Sequence, residues 1–284
     1  MEEVEFYLED LESKFSKIDP TKYVLSYSGG RDSHFLYWFI KERLKEPRIK
    51  IVGVNTTMEH PEILQRIKDN CDVVLRPVKK PRDVKKEFGS PCFSKSKDEF
   101  IYRYQNGSRS LNTMKYIDGI NPIFKLNNKE RELVKNDQLH KVSNKCCSYL
   151  KKMPLKQYAK ENGVKYIIGV RGAESRMRKA QYTSCFNKEM NFTPIHDLTD
   201  ELLDQIYDKY KIEVPAVYNT LKRTGCMGCP YGRRIKQELS TLNDNQYKYV
   251  VDLFKESYEA KGIDYEVYSE NNSIAQLSLF EDGI

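Results

Sequence analysis

The stretch "YVLSYSGGRDSHFLYWFI" occupies residues 23–40. A short apolar run, "YVLSY", halts at Ser28, Gly29 and Gly30. A second apolar run begins after Asp32 and Ser33. The first run has the length and residue types of a buried strand, and residues 31–45 read as a helix. A strand that ends in Ser-Gly-Gly and leads into a helix is a phosphate-binding arrangement. Glycines let the backbone turn tightly and approach a ligand without a β-carbon in the way. Their N–H groups join the free N–H groups of the helix start in an anion-binding concavity. Ser28 adds a hydroxyl. Asp32 and Ser33 fall in the first helical turn, where they can bond free N–H groups or approach Mg2+. Two glycines alone are explained equally well by a plain turn between strand and helix.

Outward from this stretch the pattern alternates. Residues 49–54 ("IKIVGV") read as a second strand, 60–70 as a helix, and 72–77 ("DVVLRP") as a third strand. Strands alternating with helices predict a parallel sheet with helical crossovers. The phosphate loop then lies at the carboxyl ends of the strands. Residues 81–160 break the rhythm with helical patterns, among them Phe93, Lys97, Phe100 and Tyr104 along one face. The sheet resumes at 164–170, with a short strand near 192–195. Residues 199–210 predict a helix capped by Thr199 with acids in its first turn, and 243–260 a last helix. The expected organisation is an α/β domain over 1–240 with a helical insertion at about 81–160. A C-terminal helical segment follows at 241–268, then a flexible tail at 269–284. Neither G-x-x-x-x-G-K-(S/T) nor G-x-G-x-x-G occurs, so a Walker loop and a dinucleotide Rossmann site are both disfavoured.

The start, "MEEVEFYLEDLESKF", is acidic and amphipathic, unlike a signal or transit peptide. No run approaches the roughly 18 apolar residues of a membrane span. A soluble, cytoplasmic protein without membrane contact is expected. Net charge is +7, unevenly spread. Lysine and arginine gather at 78–86, 145–152, 171–179 and 231–236. The first patch reads as ordinary solvated lysine; the others surround cysteines or an unusual arginine motif and favour an anion site.

Seven cysteines without a secretory signal argue against a disulfide framework. Cys146 and Cys147 are adjacent, and Cys226 and Cys229 form "TGCMGCPYG", a C-x-x-C followed by proline. Four thiolates suit tetrahedral zinc or an iron–sulfur cluster. Adjacent side chains reach one small ion poorly, whereas a cubane offers separate iron corners, which favours a 4Fe–4S cluster. Buried inert thiols are the third reading. Lys145, Lys151, Lys152, Arg223 and Arg233 would offset an anionic cluster.

"SGGRDS" (28–33) resembles the S-G-G-x-D-S signature of the PP-loop superfamily, the adenine-nucleotide α-hydrolase-like proteins. The Cys-Cys … Cys-x-x-Cys pattern resembles that of cluster-binding adenosine phosphosulfate reductases and of cluster-containing PP-loop enzymes of DNA phosphorothioation. "GVRGAESRMR" (169–178) is similar to the family's G-x-R-x-x-(E/Q)-S-x-x-R, matched by Gly169, Arg171, Glu174, Ser175 and Arg178. "VNTTMEHPEI" (54–63) loosely matches a strand end that contacts adenosine or ribose, through Asn55. The resemblance covers about residues 20–235 and places the chain in the phosphoadenosine phosphosulfate reductase family. It implies a PP-loop fold, a parallel twisted sheet with a helical insertion and C-terminal helices. It also implies ATP or a related adenine nucleotide, Mg2+, and a cluster on Cys146, Cys147, Cys226 and Cys229. Ser28, Gly29, Gly30, Asp32, Ser33, Asn55, Arg171, Glu174, Ser175 and Arg178 become nucleotide contacts, with Asp32, Arg171 and Arg178 at the reacting groups. Arginine suits phosphate or sulfate through permanent, bidentate charge.

One departure matters. Sulfonucleotide reductases of this family carry a catalytic cysteine in a Glu-Cys-Gly-Leu-His segment, and no cysteine follows Cys229 here. Cys71, Cys92 and Cys185 remain, Cys92 near cations that could lower its pKa. The departure favours the other PP-loop chemistry. ATP activates a substrate oxygen as its adenylate, pyrophosphate leaves, and a sulfur or nitrogen nucleophile displaces AMP. DNA or tRNA would be the acceptor, and a donor protein would supply the sulfur. The alternatives are a reductase releasing sulfite and a non-catalytic accessory protein. "QLSLF" (Gln276–Phe280) resembles the short peptide by which bacterial DNA-metabolism proteins bind the sliding clamp; packing of the tail on its own domain is the competing reading.

Overall fold

A computed structural model describes residues 2–121, 125–221 and 224–266. Gln276–Phe280 and Arg223 lie outside the described residues. The first part of the chain runs α1 (Glu2–Phe15), β1 (Tyr23–Tyr27), α2 (Arg31–Trp38), β2 (Ile51–Val54), α3 (Pro61–Asn70) and β3 (Val73–Leu75). Next come α4 (Pro81–Phe88), α5 (Lys95–Gln105), α6 (Leu111–Ile117), α7 (Asn128–Lys135), α8 (Lys145–Cys147) and α9 (Met153–Asn162). Then follow β4 (Lys165–Ile168), α10 (Arg176–Gln181), α11 (Asp200–Tyr210), α12 (Val217–Thr220), α13 (Ile235–Leu239) and α14 (Asp244–Lys261). The chain divides into two units, 1–77 with 153–219 and 78–152 with 220–284. Residues 220–240 thus group with the helical insertion and the last helix.

The first unit is built on one parallel sheet of order β3-β2-β1-β4. Leu25 of β1 is in register with Ile51 of β2 and Ile167 of β4. All four residues of β2 are buried, as a near-continuous apolar run in a two-sided parallel sheet should be. Period-two alternation splits β1 between faces. Leu25 and Tyr27 join Leu8 and Leu11 of α1, Phe35 and Leu36 of α2, and Leu203 and Ile206 of α11. Val24 joins Val52, Tyr166 and the Leu155, Tyr158 and Ala159 side of α9. Each fully buried large side chain contributes about 1.5–3 kcal/mol.

Several expected elements are shorter than the pattern suggested: the strand over 49–54 is Ile51–Val54 and that over 164–170 is Lys165–Ile168. The helix over 31–45 becomes α2 followed by a π turn over Phe39–Arg43. The strand over 72–77 contracts to Val73–Leu75, because Asp72 turns its carboxylate to the N–H of Ile51 at 2.6 Å and Pro77 has no N–H to donate. The segment 192–195 makes only isolated bridges, Phe192 to Ile167 and to Phe186. Pro194 cannot extend the ladder, and the side chain of Asn191 takes the N–H of Tyr166 at 3.0 Å.

The second unit is helical. Ile101, Tyr116, Ile117, Val134 and Val142 form its core with Cys92. Phe93, Phe100 and Tyr104 pack against that core, while Lys97 of the same face pairs with Glu130 at 2.6 Å. Among the described residues no helix is long and apolar enough to cross a membrane.

Candidate functional site

From β1 the first unit adds β2 and β3 on one side, then places β4 on the other. The strand order therefore reverses between β1 and β4. At such a switch point the loops leaving the carboxyl ends of neighbouring strands part and open a crevice. The loop after β1 is Ser28–Gly30, and the loop after β4 begins at Gly169.

Gly29 holds φ +73°, in the left-handed region where a β-carbon is strained. A β-carbon there would also stand 2.9 Å from Cγ2 of Ile63. Gly30 caps α2 and, having no side chain, occupies none of the N–H groups of the first turn itself. The N–H of Arg31 donates to the hydroxyl of Tyr218 at 3.2 Å. The hydroxyls of Ser28 and Ser33 lie 3.0 Å apart, and the N–H of Ser28 donates to the Ser33 hydroxyl at 3.2 Å. Ser33 closes the turn by donating to the carbonyl of Gly30 at 3.0 Å. Arg31 is anchored by α11: Asp204 pairs with its guanidinium, and the Tyr207 hydroxyl donates to its carbonyl at 2.7 Å.

The loop after β4 presses directly on this turn. A β-carbon on Gly169 would stand 3.0 Å from the carbonyl carbon of Asp32 and from the nitrogen of Ser33. Arg171 is 5% exposed. Its Nε meets Oδ1 of Asp32 at 2.7 Å, and its Nη1 meets Asp200 at 2.8 Å. Burial works against the guanidinium's charge, but Asp32 and then Asp200 outweigh it and hold its pKa above the ordinary value. Asp32, expected to bond free N–H groups or approach Mg2+, is thus paired with Arg171, and Arg171 is committed to two carboxylates. Glu174 accepts from the N–H of Arg171 at 3.2 Å and pairs with Arg178. Ser175 caps α10 through the N–H of Arg178 at 3.2 Å. Of the two arginines, Arg178 is the exposed one, with 42% of its side chain accessible.

Two features escaped the motif reading. After β2, Thr56 is buried and gives both its N–H and its hydroxyl to the buried Glu59, at 2.9 and 2.6 Å. Asn55 accepts from the N–H of Thr57 at 2.9 Å, which holds φ +65°. The T-x-x-E spacing of Thr56 and Glu59 was the available signal, being that of a capping box. Behind the loop, Asn70 donates to the Tyr27 hydroxyl at 3.0 Å, and that hydroxyl lies 2.8 Å from Nδ1 of His34. Burial, with the charge of Arg66 adding, pushes the His34 pKa down to about 3, so the ring is neutral and shares one proton with Tyr27 across this contact.

Cys146, Cys147, Cys226 and Cys229 all belong to the second unit, and none of them is in a disulfide. Burial first, then the charges of Cys226 and Cys147, raise the Cys146 thiol; burial, then its three partners among other groups, raises Cys229. Among the described residues no group of three or more His, Cys, Asp and Glu stands at metal-holding spacing. Four thiols are nonetheless the donor type of a thiolate-ligated cluster, and they fit one by donor chemistry and not by spacing. The other cysteines differ from expectation. Cys92 is fully buried, and burial raises its thiol pKa instead of nearby cations lowering it. Burial raises Cys71 to about 12 and Cys185 upward as well.

A family model, the phosphoadenosine phosphosulfate reductase domain, matches residues 109–231. The match takes in Cys146, Cys147, Cys226, Cys229 and the Gly169–Arg178 motif, and it is the family that the sequence motifs resemble. No curated protein matches the chain. Solved structures with similarity include the NH3-dependent NAD synthetase from Campylobacter jejuni subsp. jejuni in complex with the nitrate ion. It is 13% identical with a TM-score of 0.37, covering 91% of this chain and 94% of that one. Another is the U34-tRNA thiolase NcsA from Methanococcus maripaludis with its 4Fe–4S cluster, 12% identical with a TM-score of 0.35, covering 92% of this chain and 79% of that one. Similarity at that level leaves the chemistry to be argued from this chain's own residues.

Proposed function

We propose that the chain is an ATP-using PP-loop enzyme that activates a substrate oxygen for sulfur incorporation, with nucleic acid as the acceptor. The observation that carries the nucleotide reading is the glycine-capped Ser28–Ser33 turn at the switch point between β1 and β4. In the proposed reaction a substrate oxygen attacks the α-phosphorus of ATP, and the bond to the β-phosphate oxygen breaks. Pyrophosphate leaves and the oxygen carries AMP. A sulfur nucleophile then attacks the activated carbon, and AMP departs with the oxygen.

Ser28, Gly29, Gly30 and Ser33 hold the pyrophosphate through N–H groups and hydroxyls. Asp32 is the loop's carboxylate, and one carboxylate plus substrate phosphates is the usual way Mg2+ is held. Arg171 acts through Asp32 and is a positioning residue; Arg178 is the guanidinium exposed enough to meet an anionic group. Asn55 lies on the neighbouring loop, where adenosine or ribose would rest. Cys146, Cys147, Cys226 and Cys229 would hold a 4Fe–4S cluster. When bound, that group supplies either structural anchoring or a relay for sulfur.

The thiols favour activation over sulfate reduction. Attack on sulfur needs a thiolate, and Cys71, Cys92 and Cys185 all have raised pKa values. The test is nucleotide turnover by the anaerobic, iron-loaded protein with Mg2+ and a thiol. It is given ATP or adenosine phosphosulfate, with and without DNA or tRNA. AMP and pyrophosphate from ATP, stimulated by one polymer, are expected and should vanish in Gly30→Val. Sulfite and AMP from the sulfonucleotide would replace the proposal with a reductase.

A further inference from the structure

The C-x-x-C turn and the residues just after it are held at three points, Gly228, Pro230 and Tyr231, by residues that lie far from them in sequence. The turn closes on itself through the N–H of Cys229 to the carbonyl of Cys226 at 3.1 Å, and the N–H of Gly232 to the carbonyl of Cys229 at 2.7 Å. The hydroxyl of Tyr258, on α14, donates to the carbonyl of Gly228. One turn further along the same helix, Nζ of Lys261 donates to the carbonyl of Pro230. The hydroxyl of Tyr231 donates to Oδ2 of Asp98, on α5, at 2.8 Å. Asp98 is fully buried and is itself fixed by the N–H groups of Cys92 and Phe93, at 2.6 and 3.0 Å. The approach of α14 is close: a methyl on Gly228 would collide with Val250 and with the Tyr258 hydroxyl. Tyr258 has no exposed surface.

These contacts exceed what packing of a terminal helix requires. A helix that only covered apolar surface would use its apolar residues, as Val250, Leu253 and Phe254 do. Tyr258 and Lys261 instead spend buried or half-buried polar groups on two backbone carbonyls that flank Cys229. Partners of this kind fix ligand orientation and commonly decide how tightly a metal site holds its metal. We propose that Tyr258, Lys261 and the Tyr231–Asp98 pair are positioning residues for the Cys226–Cys229 half of the cluster site, so that α14 is a built part of that site. This rests on the cluster reading above.

The experiment compares full-length wild type with Tyr258→Phe, Lys261→Met and Tyr231→Phe. The control is Tyr247→Phe, which deletes an α14 hydroxyl bonded to the carbonyl of Tyr265 and not to the cysteine turn. Each protein is loaded anaerobically with iron and sulfide, then challenged with excess chelator. Iron and sulfide per chain and the decay of visible absorbance are followed. The three turn variants should lose iron faster than wild type, as a roughly 10-fold to 100-fold loss of metal affinity on deleting such partners implies, and the control at the wild-type rate. Melting of the metal-free proteins separates a folding defect from a site defect. If Tyr258→Phe melts early, Lys261→Met and Tyr231→Phe carry the test. A loaded wild type whose variants lose iron at its own rate overturns the tethers and leaves the cluster standing. A wild type that takes zinc and no iron overturns the cluster, and the same assay read on zinc decides the tethers. A wild type that holds neither metal overturns both.

Discussion

Replacing Arg171 by methionine separates two roles that the sequence motif runs together. If Arg171 is a buttress, its removal leaves Asp32 without its partner at the start of α2. Removing one member of a buried pair costs about 3–5 kcal/mol. Here the figure should be smaller. The Asp32 side chain is 21% exposed, and the N-terminal end of α2 favours its charge by up to ~1 kcal/mol. Asp200 is 62% exposed and gives back little on losing its partner. A loss of about 2–4 kcal/mol follows. Trp38 is the only tryptophan and sits in α2, its ring 4.6 Å from that of Tyr210 in α11. Its emission in urea therefore reports the first unit alone, which avoids treating two units as one transition. Asp32→Asn in a double-mutant cycle should show a coupling of about 1–3 kcal/mol. Arg171→Lys should not rescue, because one ammonium cannot serve two carboxylates as a planar guanidinium does. The reasoning is refuted if Arg171→Met unfolds at the wild-type urea concentration while ATP affinity, measured by calorimetry, collapses. The arginine would then read ligand charge directly.

Three further outcomes are expected. Gly29→Ala forces a β-carbon into φ +73° and to within 2.9 Å of Ile63; a loss of about 1–3 kcal/mol in the Trp38 transition is expected, with weaker ATP binding. Glu59→Gln turns one of the two acceptors of Thr56 into a donor, so the loop after β2 should lose about 1–3 kcal/mol. Retention of full stability would show that the buried carboxylate is dispensable. The His34 pKa is about 3 in the fold against 6.5 when free. Between those values the unfolded chain takes up a proton that the folded chain refuses. Stability from this group is therefore complete above pH 6.5 and falls by up to about 1.4 kcal/mol per pH unit on acidification. The difference between His34→Gln and wild type, tracked by urea unfolding from pH 7 to 4, should shrink with that slope; a flat difference would contradict a neutral buried histidine.

What was legible in the sequence was local. Gly29 announces its turn because only a residue without a β-carbon holds that conformation cheaply. The strands at 23–27 and 49–54 announce themselves by apolar runs of strand length. Thr199 and the acids after it mark the start of α11 for reasons contained in one helical turn. What was not legible depends on partners brought from afar. Asp32 and Arg171 are 139 positions apart, and each alone reads as an exposed charge suited to a ligand; the fold makes them partners first. Phe192 looked like a strand because its apolar neighbours do, but whether it could extend the sheet hung on Pro194 and on where the side chain of Asn191 turned. The cysteine turn shows the same division. C-x-x-C marks a candidate ligand pair, whereas nothing local in "TGCMGCPYG" indicates that Gly228, Pro230 and Tyr231 are gripped by residues 258, 261 and 98. A motif therefore names the atoms that can meet a ligand. The groups that decide how firmly those atoms are held come from elsewhere in the chain. That is why Arg171 and Lys261 are better targets for separating binding from positioning than the glycines or cysteines themselves.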